Sequence, residues 1–290
     1  MTYVIFTDTD TDITPEKAKE FGYNLISMPY FIGEKEIYPY VDFDKFDFHT
    51  FYENLRKGVM PKTSGLNPAT YKNYFEPFFK NGQDVLYVHF SRAMSGTFNA
   101  LSVVAEELKK EYPERTLYLI DTKGITIGSY NIVCEIGDMY KKGKTVEEIT
   151  EWAKTEVDKF AIYFFAENLT FFKRSGRVKN LTAIMGNLLG IRPVLSMGSD
   201  GMMASVSKAR GKNGVIDKIM EYVEDLQENI EDHRIVIGHS DCQETAEILG
   251  ERIKARFGES VRLEYVVVNP TAGSHCGPDG VGISFHAKHR

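Results

Sequence analysis

Short runs dominated by apolar residues alternate along the chain with stretches whose apolar positions recur every three or four residues. Tyr3–Thr7, Leu25–Phe31, Val85–Phe90 and Leu117–Ile120 are runs of the first kind. Their length and continuity predict strands buried on both faces of a sheet. Between them Pro15–Phe21, Phe46–Lys57, Tyr71–Lys80 and Thr97–Glu111 carry helical spacing. Thr145 followed by Glu148 is a capping-box pattern that opens a helix over Val146–Glu156. Gly33-Glu34, set between Tyr30–Ile32 and Glu36–Tyr38, predicts a tight hairpin. Strands alternating with helices predict an α/β layer built on parallel strands.

A second set begins near residue 160. Ala161–Phe165 predicts a strand and Leu169–Arg174 a short helix. Pro193–Met197 and Met202–Val206 flank the turn Gly198-Ser199-Asp200-Gly201. Gly214–Gln227 and Glu244–Phe257 have helical spacing, while Arg234–His239, Val261–Val268 and Val281–Phe285 predict strands. The segment Gly273–Gly280 predicts a loop, because glycine and proline crowd it. The expected division is a domain over 1–160 and another over 161–290. At 290 residues the chain has room for two cores.

Charge narrows the function classes. With 35 basic and 41 acidic side chains the net charge is −6, which argues against an electrostatic nucleic-acid binder. Three cysteines, Cys134, Cys242 and Cys276, make no disulfide framework and no zinc pair. The histidines, His49, His89, His239, His286 and His289 among them, have no metal-ligand spacing. No run reaches the ~18 apolar residues of a membrane span, and no basic segment followed by an apolar one opens the chain. The expectation is a soluble, cytoplasmic protein without metal.

Five segments could carry chemistry. Thr7-Asp8-Thr9-Asp10-Thr11-Asp12 follows the first strand. It fits a magnesium-dependent phosphatase with Asp8 as nucleophile and Asp10 as acid/base. A calcium loop fits less well, since its sixth and twelfth places hold Ile13 and Lys19 rather than Gly and Glu. The plainer reading has Asp12 capping the helix that starts near Pro15, with Asp8 facing the cleft between domains. Lys62-Thr63-Ser64 offers loop hydroxyls. Ser91–Thr97 joins a strand to a helix N-terminus, where backbone amides favour an anion, Ser95 and Thr97 add hydroxyls, and Gly96 allows close approach. Without a Gly-x-Ser-x-Gly elbow, Ser95 does not fit a serine hydrolase. The basic stretch Lys173-Arg174-Ser175-Gly176-Arg177, with Arg192 and Lys208-Ala209-Arg210 later, would suit an anionic partner such as a phosphate. In Gly273-Ser274-His275-Cys276-Gly277-Pro278-Asp279-Gly280-Val281-Gly282, four glycines surround one imidazole that could donate to a carboxylate.

Taken in order, these segments, with Asp121-Thr122-Lys123 and Arg192-Pro193-Val194-Leu195, resemble the DegV family, the fatty-acid-binding carrier subunits that serve bacterial fatty-acid kinases. The resemblance covers nearly the whole chain. It implies a three-layer α/β/α N-terminal domain on a parallel sheet, a C-terminal α/β domain on a mixed sheet, and a lipid tunnel between them. It implies that Thr63, Ser95, Gly96 and His275, supported by Ser64 and Thr97, hold the carboxylate of a long-chain fatty acid such as palmitate, stearate or oleate. Arg174 and Arg177 match a basic loop facing the kinase, which would do the chemistry in phospholipid metabolism while this chain catalyses nothing. Transient membrane contact for loading, and no nucleic acid, complete the implied partners. Three places depart from the family's pattern: Gly277-Pro278-Asp279 ends without its last glycine, Gly65-Leu66-Asn67-Pro68 follows the hydroxyls, and Ser175-Gly176 replaces a glycine pair. The energetics are compatible with such a ligand. At ~0.8 kcal/mol per buried methylene a sixteen-carbon tail offers roughly 10 kcal/mol gross. Much of it is spent on ordering, and a buried carboxylate needs charge-assisted bonds to offset its desolvation. The chain has no Gly-x-x-x-x-Gly-Lys-Ser/Thr nucleotide loop.

Overall fold

The computed structural model describes residues 3–179 and 190–290. A four-stranded, wholly parallel sheet runs in the order Tyr23–Ile26, Tyr3–Asp8, Asp84–His89, Leu117–Asp121. The helices Pro15–Phe21, Pro68–Lys80, Thr97–Glu111 and Ile127–Lys141 intervene between or follow its strands. A seven-stranded mixed sheet runs Arg262–Val267, Arg234–His239, Gly280–His286, Phe160–Ala166, Ile191–Met197, Met203–Arg210, Val178–Lys179. Its outer pairs are parallel and the four central pairings antiparallel. The mixed α/β architecture with one parallel and one mixed sheet agrees with the expectation. A small third sheet, Lys35–Ile37, Tyr30–Ile32, Lys62–Thr63, adds to it.

The local signals hold where short-range chemistry decides. Thr145 and Glu148 form the capping box, each side chain accepting from the other's backbone N–H. Gly33, at φ 63°, turns the hairpin that pairs Ile32 with Lys35. The turn at Gly198–Gly201 closes with a 2.9 Å bond from the Gly201 amide to the Gly198 carbonyl.

Four readings need correction. Leu25–Phe31 is not one strand: Tyr23–Ile26 ends in the parallel sheet, and Tyr30–Ile32 pairs in the third sheet. The Ser27 amide and hydroxyl bond to Tyr74 and Pro39 at that break. Lys62-Thr63 is not loop but a strand paired with Tyr30 and Phe31. The helix from Pro15 is capped by Thr14, whose hydroxyl accepts from the Lys17 amide, and not by Asp12. Gly273–Gly280 is not all loop, because residues Pro270–Cys276 form a helix.

The helix Ile127–Lys141 has no clear amphipathic stripe in the sequence. Ile127 through Cys134 are all buried, as are Ile136 and Gly137. It packs against strands of the mixed sheet on one side and against the Pro15–Phe21 helix on another. A helix covered all round shows no one-faced period. Gly128 and Gly137 permit the fit: a Cβ on Gly128 would lie 1.8 Å from Ile162 Cδ1, and one on Gly137 2.5 Å from the Phe21 ring. Apolar side chains from both halves of the chain, from Ile5 and Val85 to Ile162 and Leu195, merge here into one core. A second core underlies the far face of the mixed sheet.

Candidate functional site

The helix Pro270–Cys276 places the histidine. Asn269 caps it, its Oδ1 accepting from the Ala272 amide at 2.9 Å, and Pro270 takes the first position, where its missing N–H costs nothing. Asn269 is itself fixed by Asp12, whose Oδ1 accepts from the Asn269 amide at 2.8 Å and from Nδ2 at 2.7 Å. Thr271 Oγ1 donates to the Met28 carbonyl at 2.8 Å. At the other end Gly277, at φ 75°, closes the helix with its amide on the Gly273 carbonyl. A Cβ there would lie 2.3 Å from Phe171. Crowding by glycine thus serves helix closure and close packing rather than an open loop.

His275, in the last turn of this helix, meets Thr63: Nε2 and Oγ1 lie 2.7 Å apart. Burial and the positive charges of Arg177 and Arg174 push the imidazole down to about 4, so it is neutral at pH 7. Ser95 stands in extended conformation just before the Thr97–Glu111 helix, and its Oγ accepts from the Thr97 amide at 3.2 Å. Thr97 is buried; its hydroxyl accepts from the Leu66 amide at 2.9 Å and meets Tyr71 Oη at 3.0 Å. It therefore ties the segment after Thr63 to the helix start. Gly65 makes that approach possible, since a Cβ on it would lie 3.0 Å from Thr97 Cα.

These groups open onto a cavity enclosing about 1060 Å³ of space between side chains, part of it open to solvent. Thr63, Ser64, Ser95, Thr97 and His275 all line it. Gly96 does not; it is exposed and begins the helix without a side-chain cap. Ser64 lies at the exposed rim, with Glu36 3.5 Å away. Arg177 lines the cavity and is half-buried, its amide donating to Ser175 Oγ at 3.3 Å. Arg174 is exposed and reaches the Met60 carbonyl at 3.4 Å. Arg192 is spent on an ion pair with Glu167, Nε to Oε2 at 2.9 Å.

Most of the remaining wall is apolar and was invisible as a site in the sequence. Ile127, Ile162, Phe164 and Phe172 come from the buried helix, the first strand of the mixed sheet and the short helix after it. Met197 and Met203 come from its next hairpin. Two glycines give Ile127 its place: a Cβ on Gly238 would lie 2.3 Å from it, and one on Gly282 3.2 Å. No local pattern marks these residues, because they meet only when the sheets stack.

The aspartate segment lies beside the cavity. Asp8, expected to face the cleft, instead turns into the parallel sheet. Its Oδ1 accepts from the Asp10 amide at 3.0 Å, and its Oδ2 from Tyr87 Oη at 2.9 Å and the Phe90 amide at 3.3 Å. A nucleophile needs a free oxygen with room for a substrate, and Asp8 is wholly buried with both oxygens engaged. Burial raises Asp8 and Asp12 each to about 7. Asp10, which lines the cavity, is raised well above the usual carboxylate range by burial and by its two acidic neighbours. Among the described residues no three His, Cys, Asp or Glu side chains converge to hold a metal ion. No described helix is long and apolar enough to cross a membrane.

The DegV family model, whose members it describes as uncharacterised proteins, matches residues 2–288. A DegV domain-containing protein of Clostridium perfringens is 31% identical over 284 residues, covering 98% of this chain and 97% of the relative. Among solved structures, a DegV family protein from Thermus thermophilus, described for its fatty acid binding, superposes with a TM-score of 0.87 at 19% identity, over 99% of this chain and 100% of that one. A stearic acid-binding protein from Eubacterium ventriosum gives 0.85 at 20% identity, over 99% and 98%. A protein of the same family from Ruminococcus gnavus, solved with vaccenic acid, gives 0.84 at 22% identity, over 98% and 99%. These likenesses establish a shared fold.

Proposed function

This chain belongs to the DegV family, and on that premise we propose that it encloses a long-chain fatty acid such as palmitate, stearate or oleate and holds the carboxylate with Thr63, Ser95 and His275. The observation that carries the reading is the pairing of Thr63 Oγ1 with a neutral His275 at 2.7 Å on the wall of a mostly apolar cavity. If the imidazole donates through Nε2, the threonine hydroxyl is left free to donate to a carboxylate oxygen. Ser95 Oγ accepts from the Thr97 amide, so its own hydrogen is free to donate to the ligand as well. Half-buried Arg177 adds positive potential at the same wall. Several donors and a nearby cation are what a buried carboxylate needs to remain charged. Fatty acids named for solved relatives of this fold support the ligand class.

The chain acts as a carrier and not as an enzyme. A partner kinase transfers a phosphoryl group to the held carboxylate, and exposed Arg174 with Arg177 faces that partner. Such a carrier works in the cytoplasm, divided at residue 160 into two domains, and touches the membrane transiently to load. The test is equilibrium binding of labelled palmitate and oleate to delipidated protein. Saturable binding that Ser95→Ala and His275→Ala weaken is expected; no uptake of either acid overturns the proposal.

A further inference from the structure

Asp10 is a carboxyl group in the wrong surroundings for its own sake. Only 6% of the residue is exposed, and it lines the cavity. Its Oδ1 is buried without a hydrogen-bond partner among the described residues. A buried, unpaired carboxyl oxygen is costly, and such atoms usually serve a ligand or a strained device. Asp8 and Asp12, its neighbours in sequence, differ in having one carboxyl oxygen firmly engaged, Asp8 Oδ2 with Tyr87 and Phe90 and Asp12 Oδ1 with Asn269; Asp12 Oδ2 is also buried without a partner among the described residues, but neither residue lines the cavity.

A second polar group stands beside it. The Asp10 carbonyl accepts from the Thr126 amide at 2.8 Å, and Thr126 also lines the cavity. Thr126 sits at φ 53°, ψ −131°, a conformation that a β-branched residue adopts only under compulsion. Although it precedes the Ile127–Lys141 helix, its hydroxyl does not cap that helix. Thr126 thus brings to the cavity wall a hydroxyl without a hydrogen bond among the described residues, and its backbone is bonded to that of Asp10.

The segment that carries Asp10 is anchored at the opposite end of the histidine helix from His275. Asp12, two residues from Asp10, grips Asn269 at the start of the histidine helix, and His275 is in that helix's last turn. Six residues of helix separate the two ends by roughly 9 Å. A chain whose carboxylate rests at Thr63 and His275 therefore passes Asp10 several methylenes farther on. We propose that Asp10 and Thr126 form a second polar contact in this cavity, which selects an acyl chain bearing a hydroxyl group near its middle.

This rests on the fatty-acid reading and adds a specificity to it. Burial and the neighbouring Asp8 and Asp12 favour the protonated form of Asp10, and a protonated carboxyl both donates and accepts, as pairing with a hydroxyl requires.

The experiment measures binding of stearate and of a mid-chain hydroxystearate to delipidated full-length protein and to Asp10→Leu. Wild type is expected to bind the hydroxylated acid at least as tightly as stearate. In Asp10→Leu the hydroxylated acid is expected to fall behind stearate by about tenfold or more, the loss of one buried hydrogen-bonded pair. Thr126→Val, which keeps the branched shape, is expected to shift the ratio in the same direction and covers the case that Asp10→Leu does not fold. An unchanged ratio in the folded variants, the result if a water alone satisfies Asp10, overturns the inference and leaves the carrier reading standing. Wild type that binds neither acid overturns the carrier reading, and this inference with it.

Discussion

In the proposed site His275 acts on the carboxylate through Thr63: burial and two arginines hold it near 4, so it is neutral and has one N–H to give, to the threonine hydroxyl. Loss of one donor to a buried carboxylate removes roughly 1.5–3 kcal/mol. Thr63→Val is therefore expected to weaken fatty-acid affinity by about tenfold to a hundredfold, read by calorimetric titration; unchanged affinity contradicts the role given to Thr63. Titration of the acidic segment has the opposite sign from that of the histidine. Asp8 and Asp12 have folded values of about 7 against an ordinary 3.8, so the native state holds the extra protons. Stability is thus greatest below the unfolded values and falls as pH rises through the window from about 4 to about 7. His275 binds its proton less readily when folded, so its contribution rises with pH between about 4 and 6.5. The carboxylates outnumber it. Asp10→Asn, which removes a third raised carboxyl, is expected to flatten the loss of thermal midpoint between pH 5 and pH 8. A slope identical to wild type contradicts this. At this scale the residues alone marked an anion-favouring helix N-terminus at Ser95–Thr97, while Thr63 and His275 were singled out through the family resemblance. Gly96, legible for the same reasons, lies outside the cavity, because a helix N-terminus marks where an anion fits but not which way the site faces.

The histidine helix shows how an element can hide. Three glycines in Gly273–Gly280 read as loop, yet the Asn269 cap and Pro270 start a helix that closes at Gly277. The signal was present in Asn-Pro and was outweighed by the glycines after it. Asn269→Ala removes the cap, worth about 1 kcal/mol. It also strips Asp12 Oδ1 of its 2.7 Å side-chain donor. The expected result is a lower midpoint in thermal denaturation and poorer fatty-acid retention, because His275 rides on the same helix. A variant that loses stability but keeps full retention would separate the helix from the site. The Ile127–Lys141 helix was illegible for the opposite reason: covered on every side, it lost the period that marks surface helices. Val146–Glu156, half-exposed and boxed by Thr145 and Glu148, was read correctly from the residues alone.

At the scale of the molecule the cavity exists only where the layers meet. Its lining draws Thr63 from the third sheet, Ser95 from the parallel-sheet side, Phe164 and Met197 from the mixed sheet, and Ile127 from the helix between. Arg56 ties the layers further, with Nη1 2.6 Å from Asp241 and Nη2 2.6 Å from Asp279. Asp279, which departs from the family's final glycine, thus has a partner, and at φ 63° it keeps the left-handed backbone that glycine favours. Two α/β layers were legible from alternating strands and helices; the apolar walls between them were not, since stacking is a property of no single segment. The central claim is that this cavity carries a fatty acid in the cell. Native mass spectrometry of the protein as purified tests it most directly. The expected spectrum shows a population heavier than the apo chain by the mass of one long-chain fatty acid, lost in His275→Ala. Protein found only at the apo mass, and unchanged after incubation with palmitate or oleate, would contradict it.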